Sequence, residues 1–348
     1  MATKLTVAIA GLGRAGWSIH FKKLKDARDF QLAAVIDPMP ERLDEAASIS
    51  GCRTYTTAGA FWKKERPDIL VIATPTRLHE RHARRALREG CHVILEKPMT
   101  TSLKSADRII EEAKRHGRRV LVYQPHRLAA ETQTLRGILD SGILGPVYLI
   151  RRSLTRYVRR NDWQSLRKHG GGMLNNYGAH YIDQLLYLSD GTPVVDTQCN
   201  LWAVATRGDA DDVVKVWLKT RRNQILDLEI NQAAALPLPP WHVCGHYGTL
   251  VQEENAFHIR YFNPNQAPDL KVFDGAAPGR SYANKDRLPW QEKTVTIRPE
   301  TQLDFYTNIY QTLTRNAQPH VKAGESRELI RVIEQCRKRA VFRKESDA

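Results

Sequence analysis

The amino-acid sequence predicts an α/β protein of two parts: an N-terminal doubly wound parallel sheet, and a C-terminal α+β domain with an open, largely antiparallel sheet. Two observations predict this. Short apolar segments alternate with helical segments up to Gln124, and beyond it the predicted strands follow one another with few helices between them. The length of 348 residues exceeds one ordinary core and suits two domains. We place them at residues 1–124 and 125–348, with the C-terminal helix able to pack back on the first domain.

The N-terminal elements follow from apolar patterning and from glycines that end helices. The segment 5–10 is continuously apolar, as expected of a strand buried on both faces. Gly90 and Gly117 each follow a helical pattern, where a left-handed residue commonly ends a helix. The predicted strands are 5–10, 31–36, 68–73, 92–95 and 119–123, and the predicted helices are 14–28, 41–48, 59–64, 78–89 and 102–116.

The C-terminal elements show a different pattern. Most of the apolar segments alternate in polarity, which predicts strands with one face on a core. The predicted strands are 147–154, 196–206, 213–220, 224–231 and 241–252, and the predicted helices are 129–141, 174–188, 300–316 and 325–343. Residues 263–292 are rich in Pro and Gly and predict a long irregular segment.

Composition excludes several classes of protein. The formal net charge is +15, but the basic residues are scattered without a recognition motif, which favours a solvated surface over nucleic acid or an acidic substrate. No apolar segment reaches the roughly 20 residues of a membrane helix, and residues 1–4 lead directly into a predicted strand, so we expect no signal peptide. Five separated cysteines predict reduced thiols in a cytoplasmic protein. The alternation of His242, Cys244 and His246 favours sheet packing over zinc, because a fourth ligand is missing, so we expect no metal.

A glycine-rich turn predicts a dinucleotide site. Gly11, Gly13 and Gly16 form a GxGxxG pattern between the first strand and the first helix, the context that gives this weak motif its meaning. Asp37 ends the second strand, where a carboxylate binds ribose hydroxyls and repels a 2′-phosphate, so we expect NAD rather than NADP. Arg42 lies near enough to weaken that preference, or else faces solvent. The sequence therefore predicts a Rossmann domain that binds NAD.

Further polar residues lie at or just after the carboxyl ends of the predicted strands 68–73 and 92–95. Ligands of open α/β sheets bind at these ends of the strands. Thr74, His79, Glu96 and Lys97 should therefore surround the nicotinamide, and Pro98 fixes the backbone after Lys97. The expected cofactor residues are Gly11, Leu12, Gly13, Arg14, Ala15, Gly16, Asp37, Arg42, Thr74, Pro75, His79, Glu96, Lys97 and Gln124.

Three segments, together with the glycine turn, carry a resemblance. They are Ile-Ala-Thr-Pro-Thr-Arg-Leu-His at 72–79, Leu-Glu-Lys-Pro at 95–98, and Gly-Gly-Gly-Met-Leu-Asn-Asn-Tyr-Gly-Ala-His-Tyr-Ile-Asp at 170–183. In this order and spacing they resemble the Gfo/Idh/MocA oxidoreductase family over essentially the whole chain. The resemblance implies that Lys97 is catalytic and that the Lys97–Pro98 bond is cis. It also implies that residues after the last Rossmann strand, and a loop before the glycine run, line the pocket: Tyr123, His126, Arg127, Arg156, Tyr157, Asp162 and Trp163. A structural role is the alternative for each of these.

The helix of the second part supplies the rest of the expected site. His180 and Asn176 are four residues apart and share a helix face, and histidine titrates in the range that suits proton transfer. Asp183 lies one turn further on and is expected to be structural. The family commonly has Asp where this chain has Asn176. An asparagine cannot carry charge, so the pKa of Lys97 should be lower than with Asp there.

These observations predict an NAD-dependent dehydrogenase that acts on a CH–OH group of a sugar, polyol or glycoside. Lys97 would polarise the hydroxyl, His180 would act as acid and base, and Asn176 would bind substrate. The expected substrate residues are Lys97, His126, Arg127, Tyr157, Trp163, Asn176 and His180. The open sheet has a face that needs cover, which predicts a homodimer or homotetramer. Two alternatives remain open: a reductase of an imine, enone or bilin, which would keep Lys97 without needing His180, and a non-catalytic NAD-dependent sensor.

Overall fold

The computed structural model describes residues 4–270, 272, 274–275 and 286–344. The chain forms two compact units, each assembled from separate stretches. The first unit comprises residues 1–128, 174–184 and 303–339. The second comprises residues 129–173, 185–302 and 340–348.

The first unit contains the predicted doubly wound sheet. Its strands are β1 (Leu5–Ala10), β2 (Phe30–Ile36), β3 (Arg53–Tyr55), β4 (Ile69–Ile72), β5 (His92–Leu95) and β6 (Val120–Val122). They pair in parallel in the order β3-β2-β1-β4-β5-β6. The short edge strand β3 was not predicted.

The helices agree broadly with the predicted ones. They are α1 (Lys22–Leu24), α2 (Pro40–Ser50), α3 (Ala58–Lys64), α4 (His79–Arg88), α5 (Leu103–Arg115), α6 (Pro125–Leu128), α7 (Ala130–Asp140), α8 (Met173–Asn176), α9 (Gly178–Leu188), α10 (Phe305–Arg315) and α11 (Ala323–Arg339). The Ser102 side chain accepts a hydrogen bond from the N–H of Ser105 and starts α5. Gly90 and Gly117 adopt left-handed backbone after α4 and α5, as predicted.

Two predicted helices differ in detail. The expected helix over 14–28 is a π-helix, Gly16–Phe21, that continues as α1. The expected helix over 174–188 is divided at Tyr177 into α8 and α9. Both differences lie beside predicted site residues, where π-turns and helix breaks are common.

Two apolar cores cover the faces of the first sheet. Ala8 and Ala10 of β1 face one core, which contains Phe61 of α3 and Ile330 of α11. Val7 and Ile9 face the other, which contains Phe21 of the π-helix together with Phe305, Tyr306 and Ile309 of α10. Because neighbouring residues of a strand point to opposite faces, this division confirms the doubly wound arrangement.

The second unit contains a nine-stranded sheet in the order β14-β13-β12-β11-β7-β10-β9-β8-β15. Its strands are β7 (Val147–Thr155), β8 (Val194–Ala203), β9 (Val213–Thr220), β10 (Ile225–Asn231), β11 (Trp241–Gly245), β12 (Gly248–Glu253), β13 (Ala256–Tyr261), β14 (Gln291–Thr296) and β15 (Val341–Lys344). Only the pairs β7–β10 and β8–β15 are parallel. The prediction of an open, largely antiparallel sheet is therefore confirmed.

Several boundaries in this sheet were predicted wrongly. The expected strand over 241–252 is the hairpin β11–β12, because the chain turns at Gly245 and Gly248. A Cβ on Gly245 would lie 2.2 Å from the carbonyl oxygen of Leu144, so this position requires glycine. The expected irregular segment over 263–292 contains a short 3₁₀ turn, Pro264–Gln266, and the start of β14; part of it lies outside the described residues. The expected helix over 325–343 ends at Arg339, and the chain continues as β15.

Within the described ranges, no helix is long and apolar enough to cross a membrane.

Candidate functional site

The glycine turn after β1 has the shape of a nucleotide-binding loop. Gly11 has φ +91°, and a Cβ there would lie 2.8 Å from the carbonyl oxygen of Ala73. A Cβ on Gly16 would lie 1.8 Å from the carbonyl oxygen of Gly11. By contrast, no described atom lies within 4 Å of a Cβ built on Gly13. Gly11 and Gly16 are therefore required by the packing of the turn itself, whereas Gly13 borders open space of the kind that a pyrophosphate needs.

Asp37, at the end of β2, is fixed beside this turn. It is buried, and its Oδ2 accepts a hydrogen bond from the N–H of Leu12 at 2.7 Å. Its Oδ1 accepts one from the N–H of Met39 at 3.0 Å. Arg42 Nη1 lies 3.4 Å from Oδ2, so the Arg42 side chain is turned toward Asp37. The carboxylate is thus held in place by the backbone, where it could also accept hydrogen bonds from a ribose.

Two polar side chains that follow strands of the first sheet are buried without hydrogen-bond partners among the described residues. Thr74 follows β4 and Gln124 follows β6. The Thr74 hydroxyl and both amide atoms of Gln124 make no hydrogen bond to any residue that the structure describes. Leaving such groups unsatisfied costs about 1–3 kcal/mol each. Together with the space beside Gly13, these atoms fit a dinucleotide whose polar groups would satisfy them.

Both ring nitrogens of His79 face backbone carbonyl oxygens of the protein. Its Nε2 lies 2.9 Å from the carbonyl oxygen of Thr74, and its Nδ1 lies 3.3 Å from that of Met99. Burial lowers the pKa of His79, so the neutral ring has one N–H, and the shorter contact places it on Nε2. His79 thereby holds the backbone at Thr74.

Lys97 follows β5, and its bond to Pro98 is cis. Its Nζ lies 3.3 Å from Asn176 Oδ1 and 3.3 Å from the carbonyl oxygen of Asn176. Burial and the positive charge of Arg14 lower the pKa of Lys97 to about 8, against the opposite effect of Glu96. An ammonium with such a pKa can give up and regain a proton near neutral pH.

His180, on α9, is buried near Lys97 in the same unit. Its ring centroid lies 4.2 Å from that of His126. Burial holds the pKa of His180 well below its ordinary value, and the charges of Lys97 and His126 act in the same direction. Its Nδ1 is buried without a hydrogen-bond partner among the described atoms. His180 is therefore neutral and offers an unused ring nitrogen.

Arg127, expected from the resemblance to touch substrate, lies instead in a buried ion network. Its Nε and Nη2 donate to Asp183 at 2.9 and 2.6 Å, and Nη1 pairs with Glu325 of α11. The Asp183 carboxylate is thereby held against Arg127, and the structural role that we expect for it stays a prediction. Glu325 could not be identified from the sequence, because 198 residues separate it from Arg127.

Tyr157 and Trp163 lie in the second unit with exposed side chains, at 59% and 58% exposure. The backbone of Tyr157 bridges to Ala233. Trp163 begins a 3₁₀ turn whose preceding residue, Asp162, accepts a hydrogen bond from the N–H of Gln164.

No group of three His, Cys, Asp or Glu side chains in the described parts of the chain could hold a metal ion. His242 Nε2 lies 3.5 Å from Cys244 Sγ on β11.

Comparisons with known proteins match two successive parts of the chain. Residues 5–124 match the model of the oxidoreductase family with an NAD-binding Rossmann fold (Gfo/Idh/MocA), and residues 132–251 match the GFO/IDH/MocA C-terminal domain.

Among individual relatives, D-glucoside 3-dehydrogenase of Escherichia coli (strain K12) is 30% identical over 202 residues, 56% of each chain. The rhizopine catabolism protein MocA of Rhizobium meliloti is 29% identical over 61% of this chain and 66% of its own. The matches thus span less than two thirds of these two relatives. The scyllo-inositol 2-dehydrogenase (NADP(+)) IolW of Bacillus subtilis (strain 168) is 23% identical over 95% of this chain and 92% of its own.

Solved structures share the fold. An NAD-binding protein from Listeria innocua has a TM-score of 0.81 and 25% identity, over 97% of both chains. An oxidoreductase from Agrobacterium radiobacter, in complex with NAD+, L-tartaric acid and magnesium, has a TM-score of 0.79 and 17% identity over 97% of this chain and 96% of its own. With both family models matched in order along the chain, this protein belongs to the Gfo/Idh/MocA family of NAD-binding oxidoreductases.

Proposed function

We propose that this protein is an NAD-dependent dehydrogenase that oxidises a secondary alcohol of a sugar, polyol or glycoside, or reduces the corresponding ketone. The observation that supports this best is the Lys97 ammonium, held 3.3 Å from Asn176 Oδ1 with its pKa lowered to about 8. A group that titrates near the working pH is the most effective proton acceptor and donor.

The chain's own residues would hold the cofactor at the ends of β1, β2, β4, β5 and β6. The glycine turn would take the diphosphate on its backbone N–H groups, Asp37 the adenosine ribose, and Thr74 and Gln124 the nicotinamide end. When bound, NAD would supply the hydride acceptor. We favour NAD over NADP because a 2′-phosphate would lie against the buried carboxylate of Asp37.

Lys97 and His180 would act on the substrate hydroxyl from two sides. Lys97, in its amine form, would take the hydroxyl proton on Nζ, and in its ammonium form would return it during reduction. Neutral His180 would hold the hydroxyl oxygen by donating a hydrogen bond to it from the N–H of Nδ1, the ring nitrogen that has no described partner. The sequence favours His180 for the acid–base role, but the strongly lowered pKa of His180 favours Lys97 as the group that titrates. Asn176 would orient Nζ without adding charge.

We further propose a homodimer or homotetramer formed through the outer face of the second sheet. We also propose a cytoplasmic location, supported by five cysteines that are all buried and form no disulfide bond within the described residues. We assign no nucleic-acid partner, because many of the clustered arginines pair with carboxylates. Arg84 and Arg88, for example, both bind Glu112 at 2.9 Å.

The test is NADH formation, followed by its near-ultraviolet absorbance, with a panel of monosaccharides, inositols and glycosides. We expect turnover with members of this panel, and Lys97→Met should lower kcat by about 100-fold to 10,000-fold while NAD still binds. Tight NAD binding without turnover of any alcohol would contradict the proposal and favour the sensor. Turnover of an imine or enone alone would favour a reductase.

A further inference from the structure

A buried chain of hydrogen bonds lies behind Lys97, in residues to which the proposed mechanism gives no role in the chemical step. His20 is completely buried, and both its ring nitrogens have partners. Its Nε2 lies 2.9 Å from Glu96 Oε1, and its Nδ1 lies 2.6 Å from the hydroxyl oxygen of Tyr306. The other carboxylate oxygen, Glu96 Oε2, accepts a hydrogen bond from the N–H of Lys97 at 3.1 Å.

The chemistry of these groups sets the direction of each hydrogen bond. A carboxylate only accepts, so His20 Nε2 carries a proton and donates a hydrogen bond to Glu96. Nδ1 faces the hydroxyl of Tyr306, which can donate a hydrogen bond to it. Burial raises the pKa of Tyr306 well above its ordinary value, so the phenol keeps its proton and remains a donor. Tyr306 thus fixes the tautomer of His20, and His20 fixes Glu96.

The three side chains come from three separate elements of the first unit. His20 lies in the π-helix that follows the glycine turn, Glu96 follows β5, and Tyr306 lies on α10. Tyr123 and Phe30 pack edge-on against His20 and Tyr306, respectively. Single-turn π-helices are frequent at functional sites, where they redirect one side chain. Here the side chain on the π-helix is His20, and it contacts Glu96, the residue that precedes Lys97.

On this basis, which rests on the proposed role of Lys97, we propose that His20 and Tyr306 are positioning residues. They hold the Glu96 carboxylate in one orientation beside Lys97, and so maintain the negative charge that keeps the Lys97 amine able to bind a proton.

Charged and titratable groups from several elements interact with Lys97 and Glu96. Arg14 of the glycine turn and His180 of α9 interact with Lys97, Arg14 by lowering its pKa. His79 of α4, Tyr123 and Tyr306 interact with Glu96. Glu96 is the group that raises the pKa of Lys97, against burial and Arg14. Loss of the hydrogen bond from His20 leaves the Glu96 carboxylate free to turn away from Lys97, so its charge should support the Lys97 ammonium less and Lys97 should bind its proton less tightly.

The experiment measures the pKa of Lys97 directly, without relying on turnover. The full chain is labelled with acetic anhydride across a range of pH, and the extent of labelling at Lys97 is read by mass spectrometry. Tyr306→Phe should lower the pKa of Lys97 by roughly half a unit to one unit. Glu96→Gln should lower it at least as much. In the Glu96→Gln background, Tyr306→Phe should have no further effect, because the charge that it supports is gone.

The control is Tyr310→Phe, the same change one turn later on α10, on a ring that also packs edge-on against Phe30. It should leave the pKa of Lys97 unchanged. His20→Gln, which can donate to Glu96 from an amide, should lie closer to wild type than His20→Leu. An unchanged or raised pKa in Tyr306→Phe, or equal effects of Tyr306→Phe with and without Glu96, would overturn the inference. Failure of the wild type to oxidise any alcohol would instead overturn the proposed function, and the labelling result would stand.

Discussion

At the scale of single residues, burial is the main influence on the candidate acid–base groups. It lowers the pKa of both Lys97 and His180, but from starting values on opposite sides of neutral pH. The pKa of Lys97 is thereby brought closer to neutral pH, and the pKa of His180 is moved further below it. Asn176 adds to this arrangement, because an uncharged amide holds Nζ without raising the pKa of the ammonium.

Asn176→Asp tests this reasoning. A carboxylate at this position, with an oxygen about as close to Nζ as the 3.3 Å of the present amide, should raise the pKa of Lys97 by about 1–3 units. Alcohol oxidation requires the amine form, so kcat/KM rises as pH passes the pKa of Lys97. In the variant this rise should therefore move to higher pH, with slower oxidation at neutral pH. The measurement is the pH profile of kcat/KM for oxidation.

Asn175→Asp is the matched control. It makes the same change one residue earlier, at a side chain whose Oδ1 accepts a hydrogen bond from Arg337 at 3.0 Å. The arginine would neutralise the added charge, and the profile should stay near that of the wild type. Equal shifts in the two variants would show that net charge, and not the position of Asn176, sets the profile.

At the scale of elements, two glycines of the same turn have different expected roles: Gly16 is needed for packing, and Gly13 for binding the cofactor. Gly16→Ala should destabilise the first unit by about 1–3 kcal/mol or more, because its Cβ would overlap the carbonyl oxygen of Gly11. Gly13→Ala adds a methyl group in open space, so the free energy of unfolding should change by less than about 0.5 kcal/mol. The methyl group would nevertheless obstruct the diphosphate, and the Kd for NAD should rise about tenfold or more.

Thermal or chemical unfolding measures the first effect, and calorimetric titration with NAD measures the second. Unchanged NAD affinity in a fully folded Gly13→Ala protein would refute the assignment of this turn to the cofactor.

Elements with a strong local signal could be predicted from the sequence, and those that depend on distant partners could not. The strand β1 is continuously apolar, and Gly117 ends α5 where a left-handed residue is needed. The hairpin β11–β12 was missed because its turn contains Tyr247 among its glycines, and the apolar character therefore continues through it. Strand β15 forms through its parallel pairing with β8, whose partner residues lie 141 positions earlier.

The same limit applied to the candidate site. Lys97 and His180 stand in recognisable segments, so they could be found from the sequence. His20 gave no local signal, because 76 residues separate it from Glu96 and 286 from Tyr306.

At the scale of the whole molecule, the network around Arg127 joins all three stretches of chain that form the first unit. Arg127 lies on α6, Asp183 on α9 and Glu325 on α11. Asp183→Asn should lower the free energy of unfolding by about 3–5 kcal/mol, because it leaves a buried guanidinium without its bidentate carboxylate. Glu325→Gln should cost about 1 kcal/mol or less, because that side chain is 40% exposed. Denaturant titration of the two variants would measure the difference, and equal losses would contradict it.

The second sheet supports a prediction about assembly. Along β9, Val214, Val216 and Leu218 are buried, whereas Lys215, Trp217 and Lys219 on the opposite face are only half-buried. On that outer face, Asp227 binds both Arg151 at 2.8 Å and Lys215 at 2.7 Å, which neutralises charge beside Trp217. A half-buried tryptophan among paired charges is typical of a surface that a second copy covers.

If this face forms the interface, light scattering coupled to gel filtration should give two or four times the chain mass. Trp217→Glu should then dissociate the oligomer, since it places a new charge within the proposed interface. Leu236→Glu, at a loop residue that is 84% exposed, changes one apolar side chain for the same charge and should leave the mass unaltered. Because the pairs of Asp227 with Arg151 and Lys215 lie within one chain, they would remain when the oligomer dissociates. The proposed interface therefore depends on the apolar contact at Trp217, and a monomeric wild type, or an oligomer that survives Trp217→Glu, would exclude it.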